Sequence, residues 1–240
     1  LERALVVVRF TPVLKIGETS GVGIADFQEA VRGEYPLAEL EKEAVMRLEL
    51  RPDGTIDSAQ EEQPVWRLSS IDKAWRVSLT PQSLALEVGS ENYQSWPDFS
   101  SRINALVEQT ARCFRPSHRQ YIGVRYINSA PIDGGQDPRN ECAQELVSIT
   151  GNGDLQMADL LWRFAVDEGH MILRSGVMPP SSSYDPNVFA PREGANWYLD
   201  IDVGNGETLA FEAEQIKSSI LAQVKRLHAV YRWAMQQSAV

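Results

Sequence analysis

The stretch Val65-Trp66-Arg67-Leu68-Ser69-Ser70-Ile71-Asp72-Lys73-Ala74-Trp75-Arg76-Val77-Ser78-Leu79-Thr80-Pro81-Gln82-Ser83-Leu84-Ala85-Leu86-Glu87-Val88 decides the fold. Trp66 and Leu68, then Trp75, Val77 and Leu79, then Leu84, Leu86 and Val88 recur at every second position, the period of a half-buried strand. The links Ser70-Ile71-Asp72-Lys73 and Thr80-Pro81-Gln82 are too short for parallel crossovers. Three antiparallel strands in a meander follow.

Outward from this core, Ser95-Trp96-Pro97 opens a helix whose apolar face is Phe99, Ile103, Leu106, Val107 and Phe114, and that face needs a sheet to cover. Upstream, Ala4-Leu5-Val6-Val7-Val8-Arg9-Phe10 is a β-branched strand stopped by Thr11-Pro12. Gly21-Val22-Gly23 lacks the third glycine and the lysine of a phosphate-binding turn and reads as a flexible loop. Asp26 is placed to cap a short helix over 27–34. Glu39-Leu40-Glu41-Lys42-Glu43 reads as a solvated connector, Val45 to Leu50 as a strand, and Pro52-Asp53-Gly54 as its turn.

Downstream the pattern restarts. Val124-Arg125-Tyr126 echoes Val8-Arg9-Phe10, Trp162-Arg163-Phe164 echoes Trp66-Arg67-Leu68, and Leu199-Asp200-Ile201-Asp202-Val203-Gly204 echoes Leu84-Ala85-Leu86-Glu87-Val88-Gly89. Ile216, Ile220, Val224, Leu227 and Tyr231 match the earlier helix face, and Pro179-Pro180-Ser181-Ser182-Ser183 begins an insertion running to Gly194. The expectation is an α+β protein with antiparallel sheets and amphipathic helices packed on them. It is built from two similar β-α-β-β-β-α halves, 1–120 and 121–240, that form one compact unit.

Composition narrows the function. The 33 acidic against 23 basic side chains give a net charge of −10, so the surface field repels phosphate backbones, and direct nucleic-acid binding is not expected. No apolar run approaches the roughly 20 residues that span a bilayer, and the first residues carry no cationic lead or small-residue cleavage site. Cys113 and Cys142 have no metal-ligand spacing, which suits a reducing cytoplasm without cofactor or metal. Asp133-Gly134-Gly135-Gln136-Asp137 and Asn152-Gly153-Asp154 read as turns, because neither continues into a calcium loop.

No catalytic residue is assigned. His118, His170 and His228 are dispersed, with His228 beside the apolar face of the last helix as a core-edge residue. A triad of Ser182, His170 and Asp200 lacks a nucleophile elbow. Asp200 and Asp202 lie on one side of a strand, where a solvated face accounts for them.

Arginines and an asparagine inside strands are more informative. In Ile122-Gly123-Val124-Arg125-Tyr126-Ile127-Asn128, alternation puts Tyr121, Gly123 and Arg125 on one face and Ile122, Val124, Tyr126 and Asn128 on the other. A buried Asn128 needs a backbone partner, most economically in a loop, and an enclosed Arg125 needs a carboxylate. As ordinary structural residues, that is all they do. As a binding set, Arg125 with Arg67 or Arg163 meets an anionic group while Trp66 and Trp75 offer stacking surface, and Asn128 completes the candidate residues.

Pro64-Val65-Trp66-Arg67-Leu68-Ser69-Ser70, Tyr93-x-x-Trp96-x-x-Phe99, the Arg125-Tyr126-Ile127-Asn128 strand and Leu227-His228 together resemble a sporadically distributed prokaryotic family of uncharacterised proteins of similar length. The likeness spans most of the chain but loosens after Ala130. It carries no catalytic assignment. It implies the scattered occurrence of accessory or mobile genes, including defence and toxin–antitoxin loci. The resulting expectation is a non-enzymatic binding or regulatory module, an accessory to such a system, with a protein partner favoured over a small molecule. The alternatives are a small-molecule enzyme whose site is assembled between the halves, and an acidic DNA mimic.

Overall fold

The computed structural model describes residues 1–50, 56–132, 137–147, 155–186 and 188–236, with the side chains of 45–50 and 56–61 outside that description. Strand β1 (Arg3–Phe10) is followed by helix α1 (Ala25–Val31), then β2 (Leu37–Leu50), β3 (Ile56–Ser69), β4 (Trp75–Thr80), β5 (Ser83–Gly89) and helix α2 (Trp96–Phe114). Next come β6 (His118–Pro131), the one-turn α3 (Gln144–Val147), β7 (Ala158–Val166), β8 (Gly169–Met178), β9 (Asn196–Asn205), the short β10 (Leu209–Ala210) and helix α4 (Ala213–Ala234).

The fold is α+β, and its strands join in one sheet rather than several, ordered β2-β3-β4-β5-β1-β6-β9-β8-β7 with β10 beside β6. Every ladder is antiparallel. Each half runs alike: its opening strand, β1 or β6, pairs with its last, β5 or β9, and a long helix follows. The two opening strands pair with each other along the middle, from Arg3 opposite Ile127 to Arg9 opposite Tyr121. Residue 120 lies inside β6.

Alternation sorts the side chains into two faces. Ala4, Val6, Val8 and Phe10, with Leu68, Val77, Leu79, Leu84, Leu86, Ile122, Val124, Leu199, Ile201 and Val203, form the buried face under the helices. Helix α2 brings Phe99, Ile103, Leu106, Val107 and Phe114 to it, and α4 brings Ile216, Ile220, Val224 and Leu227. Burial of this apolar area supplies the main driving force for folding. Ser95 caps α2 through the Asp98 N–H, Pro97 sits in the first turn, and Arg115 ends the helix with φ 50°.

Several local expectations change. Helix α1 starts at Ala25 without a side-chain cap, so Asp26 lies within its first turn. The reason is upstream: Gly21-Val22-Gly23, read as a loop, leads into a 3-10 turn over Val22–Ile24, whose bonds already engage the first amides. The acidic run 39–43 is not a connector but part of β2, in register with β3 and bound to it by Arg67 to Glu41 and Glu43 and by Lys42 to Glu62. Pro52-Asp53-Gly54, Asn152-Gly153-Asp154 and most of Asp133–Asp137 lie outside the described residues. Asp137 itself caps the 3-10 turn Pro138–Glu141 and holds Arg139.

The halves are not equal: four strands, β2 to β5, follow α1 in the first, one more than the expected β-α-β-β-β-α, whereas β7 to β9 and the short β10 follow α3 in the second, and the connection before β5 or β9 differs too. Residues 81–82 join β4 to β5, whereas residues 179–195 join β8 to β9. The longer link folds over the face of the sheet opposite the helices, where Tyr184 and Val188 pack on a second small core of Ile127, Met178, Phe189 and Tyr198.

Candidate functional site

On the face opposite the helices, ladder registers place Arg163, Ile172, Asp202, Arg125, Leu5, Glu87 and Arg76 in one row across the strands. Arg125 stands beside Asp202 in that row but turns to Asp200, two residues along β9. Its Nε donates to Oδ1 at 2.9 Å and its Nη2 to Oδ2 at 2.6 Å. The enclosed arginine thus has the carboxylate it needs, in a two-point pairing that fits the guanidinium. Burial is the largest influence and opposes the charge on Arg125, but the Asp200 hydrogen bonds together with the negative charges around it raise the pKa.

Tyr184, from the 179–195 link, closes this pair by donating to Asp200 Oδ2 at 2.7 Å. Its ring lies under the Arg174 guanidinium, 3.9 Å from the centroid, and 4.8 Å from the ring of Tyr198. Arg174 pairs with Asp159, which also accepts from the Tyr198 hydroxyl at 2.6 Å. Asp200 is therefore not on a solvated face: its side chain is 5% exposed because the link covers it.

Beside this roofed network lies an open depression of about 390 Å³ along the β1–β6 joint. Leu5, Val7 and Gly123 form its floor, and Arg9, Tyr121, Arg125 and Asp202 its charged and polar walls. Gly123 and Gly204 face each other across β6 and β9, and the Tyr121 side chain lies over both, where a β-carbon on either would strike its ring or hydroxyl. Arg9 rests over Tyr121 at 5.6 Å from the ring centroid and has no ion-pair partner among the described residues.

The Asp202 carboxylate accepts no hydrogen bond from a described residue. Burial raises its pKa and the nearby Asp200 charge adds to this, while Arg125 and His170 pull it down. Tyr121 is pushed up to about 12, first by burial and then by Asp202, against Arg9 and Arg125.

The six candidate binding residues do not form one site. Trp66 and Trp75 belong to the helix-side core: the Trp66 indole donates to the Ile16 carbonyl at 3.1 Å, and Trp75 packs on Phe99 beneath Arg102. Asn128 is also on that side and bonds the strand carbonyl of Leu199 at 3.4 Å, not a loop. Arg67 shares the open face but is held by Glu41, Glu43 and Ser78. Arg163 is exposed on β7, three strand spacings or about 14 Å from Arg125. Of the six, only Arg125 reaches the depression.

The aromatic residues of the Tyr93-x-x-Trp96-x-x-Phe99 run serve packing. Trp96 stacks on Phe99, the Tyr93 and Tyr126 hydroxyls bond at 2.8 Å, and His228 meets Tyr126 edge-on. Burial lowers the His228 pKa. The Ser182 hydroxyl is given to the Pro180 carbonyl, and His170 lies four residues of strand, about 14 Å, from the Asp200 position, so that triad does not assemble. Among the described residues no three His, Cys, Asp or Glu side chains are grouped to hold a metal ion, and no helix is long and apolar enough to cross a membrane.

Tyr121, Arg9, Asp202 and Tyr184 stand outside the six binding candidates: Arg9 is one of the informative strand arginines left out of the set, and Asp202 reads from sequence as part of a solvated face. The usable signal was the pair of glycines in β6 and β9, since a glycine inside a strand marks a close approach. No protein-family model and no curated protein matches the chain.

Proposed function

We propose that the protein is a non-enzymatic binding module that seats a small polar molecule in the depression between its two halves. The observation that carries this reading is the pair Arg9 and Asp202, opposite charges that line one depression without a hydrogen-bonded or ion-pair partner among the described residues. Burial disfavours the Asp202 charge, so a ligand that pairs with it has something to gain, and the exposed Arg9 offers the opposite charge nearby. A regulatory or defence-accessory role rests on the family resemblance alone. The acidic-mimic reading is weaker, because Glu87, Asp159 and Asp200 are each matched to arginine instead of being presented to solvent as a free array.

The test is affinity purification from a cell extract, followed by mass spectrometry of what denaturation releases. A low-mass compound is expected from the wild type and not from an Arg9→Gln/Asp202→Asn double variant. Equal recovery from both would remove the depression as the seat. Recovery of a chemically converted compound would move the reading to an enzyme assembled between the halves.

A protein partner is the second reading, favoured by strand β7, which exposes Leu161 and Phe164 and, among the described residues, pairs with a strand on one side only. A polypeptide kept by the double variant but lost on Phe164→Asp would favour it.

A further inference from the structure

We infer that the depression along β1 and β6 takes an amino acid as its zwitterion, with the ammonium on Asp202, the carboxylate on Arg9 and an aliphatic side chain over Leu5 and Val7. This rests on the binding reading above and names its ligand class.

Charge placement selects the ligand. Arg125 is nearly neutralised by Asp200, to which its Nε and Nη2 are both committed. The uncommitted charges are then one cation, Arg9, and one anion, Asp202, with the Tyr121 ring between the rows they come from. A simple anion would meet the Asp202 carboxylate, and a simple cation would leave the Arg9 guanidinium unmatched. A ligand carrying both signs satisfies each wall, and the like-charge contact or the unmatched charge penalises the others.

Size agrees. The Arg9 and Asp202 positions are four residues apart along the strands and two strands apart, about 14 Å by 10 Å at the backbone. Those offsets make about 17 Å, and the long Arg9 side chain, exposed and turned over Tyr121, spans under half of it. The remainder suits an ammonium and a carboxylate on neighbouring carbons or a few carbons apart. Leu5 and Val7 are half-buried on the open face, and Gly123 adds no side chain to the floor. His170, Asp200 and Arg125 complete the charged surroundings of Asp202.

Isothermal titration calorimetry with L-leucine, L-leucine methyl ester and N-acetyl-L-leucine tests the assignment. The ester lacks the carboxylate, and the acetylated form lacks the ammonium. Leucine is expected to bind wild type at least about tenfold more tightly than either blocked form, the scale of one lost charge-assisted hydrogen bond. Asp202→Asn should erase the preference over N-acetyl-leucine, and Arg9→Gln the preference over the ester. Neither change removes an ion pair, and circular dichroism of both variants checks the fold.

A blocked form binding wild type as well as leucine does would overturn the proposal, as would the absence of heat across all twenty amino acids. If that absence coincides with a retained compound that the double variant loses, the ligand class fails while the binding reading stands. If nothing is retained either, both fall.

Discussion

The two halves of the sheet carry the same kind of ion pair in different surroundings. Over the first half, Glu87 meets Arg3 at 3.6 Å and Arg76 at 3.1 Å, with side chains 20%, 34% and 53% exposed in that order. Over the second half, the link 179–195 covers Asp200, and the Arg125–Asp200–Tyr184 network forms beneath it. The lesson is that one lengthened connection turns a solvated ladder of charges into an enclosed network. Enclosure raises the cost of breaking the network much more than the net worth of keeping it.

The largest effect is expected from Asp200→Ala. It leaves Arg125 enclosed without its carboxylate and should lower stability by about 3–5 kcal/mol in urea unfolding. A loss under 1 kcal/mol would mean that the link does not seal the pair. Gly204→Ala comes next. Its methyl group displaces Tyr121, at about 1–3 kcal/mol. Combining it with Tyr121→Ala should recover most of that loss, and a double-mutant cycle measures the recovery. On the first half, Glu87→Ala should cost no more than about 1 kcal/mol, and high salt should shrink even that.

The finest distinction is in pH. Asp159 is held below the usual carboxylate range by its hydrogen bonds from Arg174, so its stabilisation is present above the unfolded pKa and disappears as pH falls through the folded value. Asp202 is raised by burial, so ionisation costs stability at neutral pH, and acid relieves that cost as pH falls through the folded value. Asp159→Asn should therefore destabilise at pH 7 and Asp202→Asn stabilise, each difference fading as pH falls. Parallel pH profiles for the two variants would contradict the assigned surroundings.

The sequence reading went furthest where neighbours along the chain carry the information. Period-two alternation placed β3 to β5 and sorted both faces of β6, and the Ser95 cap located α2. It went astray where a distant segment decides. Asp200 looked solvated because nothing local says that Tyr184 lies above it. The run 39–43 looked like a connector because its strand character comes from pairing with β3. Trp66 and Trp75 read as available for stacking, although the same alternation that makes them strand residues puts Trp66 against the Ile16 carbonyl and Trp75 against Phe99 of α2. Arg125 was singled out correctly as needing a carboxylate, but alternation alone does not say whether Asp200 or Asp202 supplies it.

The place of β1 between β5 and β6 has a consequence for synthesis. A ribosome delivers β1 through α2 before β6 exists, and those elements can close a sheet whose β1 flank still offers its amides and carbonyls to any passing strand. Until β6 emerges and occupies that flank, the nascent chain is most exposed to mispairing with its neighbours on a polysome.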